Sequence, residues 1–140
     1  VTEAACVMCD KYGRSGDELH IADLELSRVF LHEDQFFPGY VLLVLGRHVT
    51  ELYDLPAPER ATLMEEVSRV AQALARVFRP VKMNYELLGN LVPHIHWHLV
   101  PRLATDPSLR SPIWTVEHLA APLAPAAARE RIDTIRRVLA

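Results

Sequence analysis

Between Pro93 and Pro101 three histidines alternate with large apolar residues, as His94-Ile95-His96-Trp97-His98-Leu99. In an extended strand, side chains two positions apart share one face. The spacing therefore predicts a strand with His94, His96 and His98 on one surface and Ile95, Trp97 and Leu99 in the core. Seven histidines in 140 residues, three of them in five positions, also exceed what a solvated polar face requires, since serine, threonine or lysine would serve there equally well. A single three-histidine metal centre does not fit. With a rise of about 3.3 Å per residue the outer two lie about 13 Å apart, against metal–nitrogen bonds of about 2.0–2.1 Å. Two of the three could still chelate one ion. The other use is covalent: an imidazole, uncharged near neutral pH, can attack phosphorus. A neighbouring ring then binds the phosphoryl oxygens or protonates the leaving group.

The remaining sequence frames that strand. A chain of 140 residues, half of them hydrophobic and 24 % charged, reads as a single domain over residues 1–140 with a sizeable core. A net charge of −3 argues against a broad nucleic-acid footprint. No apolar run reaches membrane-spanning length and the first residues are no signal peptide, so a cytoplasmic protein without a membrane or nucleic-acid partner is expected. In that compartment Cys6-Val7-Met8-Cys9 reads as metal or redox chemistry rather than as a disulfide. Alone it is half a metal site, and a reduced thiol pair is the alternative. A thioredoxin-type role is disfavoured because no helix-forming stretch follows Cys9 directly.

Residues 1–18 read as an N-terminal loop. Leu26–Leu31 and Tyr40–Leu45 read as strands of a hairpin, joined by a turn that holds Glu33 and Asp34. Apolar residues at helical spacing predict a long helix over Glu59–Phe78, prepared by Pro56 and Pro58 and ended by Pro80. Val81–Leu88 is a further strand before the Gly89-Asn90 turn. Residues 103–140 form a proline-punctuated loop and then a final helix over 126–140. Its Arg129, Arg131, Arg136 and Arg137 are read as a solvated face, and Trp114 as packing, with capping of the site or base stacking as its alternatives. His20 and His118 carry no usable signal.

The motif from His94 to Val100, with Pro101-Arg102 behind it, resembles the signature of the histidine triad (HIT) superfamily. Gly89-Asn90-Leu91-Val92 is similar to its Gly-Gln-x-Val, Pro38 to Val49 to its Pro-Gly-His-x-Leu strand, and Cys6–Cys9 to its N-terminal Cys-x-x-Cys. The resemblance runs from Cys6 to Arg102. It implies an α+β HIT-like fold: a mostly antiparallel sheet, one long helix packed on it and a C-terminal helix. It also implies a homodimer and a nucleotide substrate. Cys6, Cys9, His48 and His94 match a set that holds zinc in several relatives, which makes a structural zinc possible, with no cofactor required for the chemistry.

The resemblance further implies that His96 is the nucleophile, forming a nucleotidyl-histidine. His98 would contact the phosphate and assist the leaving group, and His94 would orient the site. Asn84, Gly89 and Asn90 are implied as phosphate or leaving-group contacts. The ribose-binding Asp of the family falls here on His32, so Asp34 and Glu33 become the ribose candidates, against a plain solvated turn. Transferases and phosphorylases of the superfamily tend to carry Gln at the third triad position. His98 stands there, which favours hydrolysis of a nucleoside phosphoramidate or dinucleoside polyphosphate at the α-phosphorus. The rival classes are a non-catalytic nucleotide-binding or zinc-stabilised interaction protein, and a metallohydrolase using His94 and His96.

Overall fold

The computed structural model describes residues 2–13 and 17–140. Two largely apolar segments form neighbouring strands of one sheet, β2 (Ser27–Leu31) and β3 (Val41–Leu45). Every residue of β3 is buried, as expected of a strand covered on both faces. The two pair antiparallel as the expected hairpin. With β1 (His20–Asp23), β4 (Lys82–Leu87) and β5 (His96–Arg102) they make a five-stranded antiparallel sheet in the order β1-β2-β3-β5-β4. Strand β1 was not anticipated. It is four residues long and pairs through an irregularity near His20, so it has no sustained alternation to read.

Two helices cover one face. In α2 (Ala57–Phe78) the stripe Leu63, Val67, Val70, Ala71 and Leu74 is buried. Helix α3 (Pro125–Leu139) buries Ala128, Ile132, Ile135 and Leu139. Both stripes join Ile95, Trp97 and Leu99 of the sheet in one core. Each buried leucine or isoleucine there contributes about 1.5–3 kcal/mol. Helix α2 ends as Arg79 turns left-handed, with φ 50°, ahead of Pro80. Arg129 and Arg137 of α3 are exposed, as a solvated face would have them, but Arg131 and Arg136 reach other elements. Arg131 donates to Gln35 Oε1 at 2.9 Å, and Arg136 donates to the backbone oxygens of Ile21 and His20, each at 2.8 Å. They fasten α3 to the rest of the fold.

The opposite face carries a smaller core of Phe30, Phe37, Tyr40, Leu42, Val44, Val100 and Ile113. Residues from both loops that flank the sheet, 32–40 and 103–116, close over it. The second loop is organised by Arg102, 1 % exposed, which donates to both carboxylate oxygens of Asp106 and to the carbonyls of Ser108 and Ser111.

The N-terminal segment corrects the sequence reading. It holds a 3₁₀ turn, Glu3–Ala5, and a short helix α1 (Val7–Gly13) that carries Cys9; Arg14 to Gly16 lie outside the described residues. Seven residues leave too little room for an amphipathic period to show. The segment is anchored instead by Cys6, which is 1 % exposed.

Candidate active site

The alternation of His96, Trp97, His98 and Leu99 does what a period of two requires. Trp97 and Leu99 enter the helix-side core, while His96 and His98 line a cavity of about 410 Å³ on the other face. His94 departs from that row. It lies in a bend before β5, where the backbone of Ile95 is tied at two points to the end of β3 and the turn after it: its N–H donates to the Val49 carbonyl and its carbonyl accepts from Leu45. The His94 ring leaves the cavity and donates through Nε2 to the Leu45 carbonyl at 2.8 Å.

That bond fixes the chemistry of His94. With Nε2 carrying the proton, Nδ1 offers a lone pair, and it lies 3.5 Å from both Cys6 Sγ and Cys9 Sγ. His48 Nδ1 is 3.4 Å from Cys9 Sγ, and the donor atoms of Cys6, Cys9, His48 and His94 all lie within 4.8 Å of one another. Ligands of a tetrahedral zinc, with Zn–S of about 2.3 Å and Zn–N of about 2.0–2.1 Å, stand about 3.5 Å apart. The donor set and its spacing therefore fit zinc. The carbonyl behind His94 is the kind of outer partner that fixes a ligating tautomer. Cys9, half-buried in α1, faces these histidines, so its helical setting serves the cluster rather than a redox motif.

His96 is tied to the same bend. Its Nδ1 donates to the His94 backbone carbonyl at 2.6 Å, which leaves Nε2 as the unprotonated nitrogen. His94 thus has two connections: its side chain faces the thiols and its main chain orients His96. The rings of His96 and His98 are 4.9 Å apart, edge to face. His98 Nδ1 lies 2.6 Å from the Tyr40 hydroxyl. Burial, and then the proximity of His96 and His32, pushes its pKa down to about 4.

Gly89 and Asn90 line the cavity with Leu88, Leu91 and Val92. Gly89, at φ +83°, takes the left-handed conformation the turn requires. Asn84 does not reach the cavity. It faces Val100 across the strand pair, and its Oδ1 accepts from Arg102 Nη1 at 2.7 Å. Glu33 lines a neighbouring hollow with Lys11 and Asp17. Asp34 does line the cavity, but its carboxylate is engaged. It accepts from the backbone N–H groups of Phe36 and Ala121 and pairs with His118 Nε2 at 2.9 Å. Burial alone would raise its pKa; those donors outweigh it and hold the carboxyl below its usual range. The same contact raises the pKa of His118.

The polar wall residues His32, Tyr40 and His118 had no site role in the sequence reading, and Trp114, read there as packing, also lines the cavity. Trp114 is 54 % exposed rather than a core plug. Its ring stands edge-on to His98 at 5.0 Å, and its indole N–H donates to the Glu86 carboxylate. The sole sequence signal for His32 was its place at the end of β2; His118 gave none.

An antiparallel sheet with helices on one face, and imidazoles from one interior strand on the other, defines an α+β protein built around its histidines. The chain belongs to the HIT domain family, which it matches over residues 15–105. A bis(5'-nucleosyl)-tetraphosphatase (asymmetrical) of Schizosaccharomyces pombe is 33 % identical over 87 residues, 59 % of this chain and 48 % of that protein. An AP-4-A phosphorylase of Mycobacterium tuberculosis is 36 % identical over 75 residues, 49 % of this chain and 38 % of that one. The matched region thus spans less than half the length of either relative. A crystal structure of a histidine triad protein from Bradyrhizobium japonicum superimposes with a TM-score of 0.79 at 34 % identity, covering 86 % of this chain and 90 % of that one. Among the described residues, no helix is long and apolar enough to cross a membrane.

Proposed function

We propose that this chain is a nucleotide hydrolase acting at the α-phosphorus of a dinucleoside polyphosphate or nucleoside phosphoramidate. The observation that carries the reading is the His96 hydrogen bond to the His94 carbonyl, which turns a lone pair at Nε2 into a nucleophile beside His98 in the cavity. His96 Nε2 attacks phosphorus, the bond from phosphorus to the leaving group breaks with its electron pair going to that group (a polyphosphate departs as its anion, an amine takes up a proton from solvent), and a nucleotidyl-histidine forms. Water then attacks the same phosphorus and releases the nucleoside monophosphate and a free imidazole. Two easier displacements replace one hard one. In this reading Asn90 and the 88–92 turn contact the phosphoryl oxygens, and His32, Asp34 and Trp114 line the nucleoside side. The names of the two curated relatives support a dinucleoside polyphosphate as one substrate class. His98 at the third position favours water over phosphate as the acceptor.

The experiment is rapid-quench mass spectrometry of the intact protein, mixed with diadenosine tetraphosphate or an adenosine phosphoramidate, with and without inorganic phosphate. A transient mass gain of one nucleoside monophosphate is expected, followed by release that phosphate does not accelerate. Acceleration by phosphate would make the protein a phosphorylase. Binding without adduct or product would make it a nucleotide-binding module.

The reading includes a zinc held by Cys6, Cys9, His48 and His94, whose coordination would pin α1 and the 46–49 turn to the start of β5. Chelation or Cys9→Ser is expected to lower Tm by roughly 10 °C or more. Activity should fail only as the fold does. Loss of turnover at unchanged Tm would instead place the ion in the chemistry. A reduced, cytoplasmic setting suits those thiols, and a homodimer completes the reading. Tyr85 and Leu88, exposed on and just after edge strand β4, offer a second copy an apolar surface.

A further inference from the structure

Tyr40 forms part of the cavity wall although it is only 4 % exposed. It is held on several sides. Its backbone N–H donates to the Phe37 carbonyl, and its own carbonyl accepts from the His32 N–H and from Gln35 Nε2. Its ring stacks on His32, with centroids 4.0 Å apart and planes 10° from parallel. Gly39, the residue before it, seats the turn against the last residue of α2. At φ +87° it takes the left-handed conformation, and a Cβ there would lie 2.6 Å from the Phe78 ring. The phenol is therefore presented to His98 Nδ1, 2.6 Å away, in one fixed pose.

Two directions are open to this hydrogen bond. Either the phenol donates to a bare Nδ1, or Nδ1–H donates to the phenol oxygen. Among the described residues, His98 is the sole polar partner of the Tyr40 hydroxyl. Burial, with the carboxylates of Glu86 and Asp34, raises the tyrosine pKa, so the phenol keeps its proton. A buried hydroxyl proton without an acceptor is costly, and Nδ1 is the acceptor within reach. The ring's single proton then belongs on the other nitrogen.

We propose that Tyr40 is a positioning residue that locks His98 in the Nε2–H tautomer, making it a fixed neutral donor to a phosphoryl or leaving-group oxygen in the cavity. With its pKa depressed to about 4, His98 holds one proton at pH 7. It stabilises charge as that charge develops on oxygen, by a hydrogen bond rather than by giving the proton away. No bond to hydrogen breaks in this role. The identity of the ligand rests on the nucleotide-hydrolase reading; the tautomer does not.

The test is two-bond ¹H–¹⁵N correlation of ¹⁵N-histidine-labelled protein at pH 7, with His98 assigned from the cross-peaks lost in His98→Gln. The expected pattern is a protonated Nε2 and a bare Nδ1. In Tyr40→Phe the ring should become a mixture of tautomers. The single-turnover rate should fall about 10-fold to 100-fold, with KM changed by less than about 3-fold. A protonated Nδ1 in the unmodified protein overturns the inference, and so does an unchanged tautomer in a folded Tyr40→Phe. If Tyr40→Phe does not fold, the unmodified protein's spectrum decides alone. If the protein turns over no nucleotide, the hydrolase reading fails and the spectrum still decides the tautomer.

Discussion

His96→Ala is expected to abolish the nucleotidyl adduct and to lower turnover by about 10⁴-fold or more, with nucleotide affinity reduced only slightly. The size of the effect follows from the proposed role. Removing the nucleophile of a covalent mechanism removes the whole route, and what survives is binding and charge stabilisation. His96 is buried, 5 % exposed, so the alanine leaves a cavity. Part of the wall survives, because His98 is held by Tyr40 and Trp114 rather than by His96 alone. Affinity is measured by calorimetry with a non-hydrolysable dinucleotide, and turnover by release of monophosphate. A variant that keeps a large fraction of turnover would remove His96 from the covalent role. A variant that loses binding and turnover together would make His96 part of the binding wall. The His94 carbonyl makes a further distinction possible. It fixes which nitrogen of His96 is free, so His94 substitutions that alter its side chain alone should leave that bond in place once the fold is held.

The fold was legible where one residue pattern had one explanation. Alternation at His96–Leu99 and the α2 stripe each named an element and the face it buries, and the structure follows both. Local patterns could not show where the chain bends away from them. His94 continues the sequence alternation, yet Ile95 is hydrogen-bonded to Leu45 and Val49, and that pulls His94 out of the strand's row. Asn84 suited a phosphate contact by its place near the triad; Arg102, 18 positions away, takes its amide oxygen instead. Tyr40 and His118 lie in loops and Trp114 in a single 3₁₀ turn, Ile113–Thr115. They meet in the cavity because the segment 103–118 folds over β2 and β3, and no local periodicity encodes that meeting. The cysteine–histidine cluster was the opposite case. Cys6, Cys9, His48 and His94 come from three separate segments and still converge, yet the set was reachable only through resemblance to a family.

Arg102→Met should be the most damaging substitution away from the histidines, at about 3–5 kcal/mol of stability. The guanidinium and the Asp106 carboxylate are each 2 % exposed at the side chain, joined by bonds of 2.6 and 3.1 Å. Methionine fills much of the volume but strands the carboxylate and leaves the carbonyls of Ser108 and Ser111 and the Asn84 amide oxygen without their donor. Thermal unfolding should move down by roughly 10–15 °C for a chain of this size. The pH dependence identifies the cause. Arg102 holds the Asp106 carboxyl below its ordinary range, so this part of the stability is present above an unfolded pKa of about 3.9. It is lost as pH falls through the depressed folded value. The gap between the two proteins should therefore be widest near neutrality and narrow in acid, whereas a pure packing defect would cost the same at both. Arg102→Met with Asp106→Leu should recover much of the loss, since a buried pair replaced whole costs far less than a pair broken. Because the same arginine holds the loop that leads to Trp114 against His98, the single variant should also raise KM before it unfolds. That effect would tie the buried ion pair to the cavity wall as well as to the core.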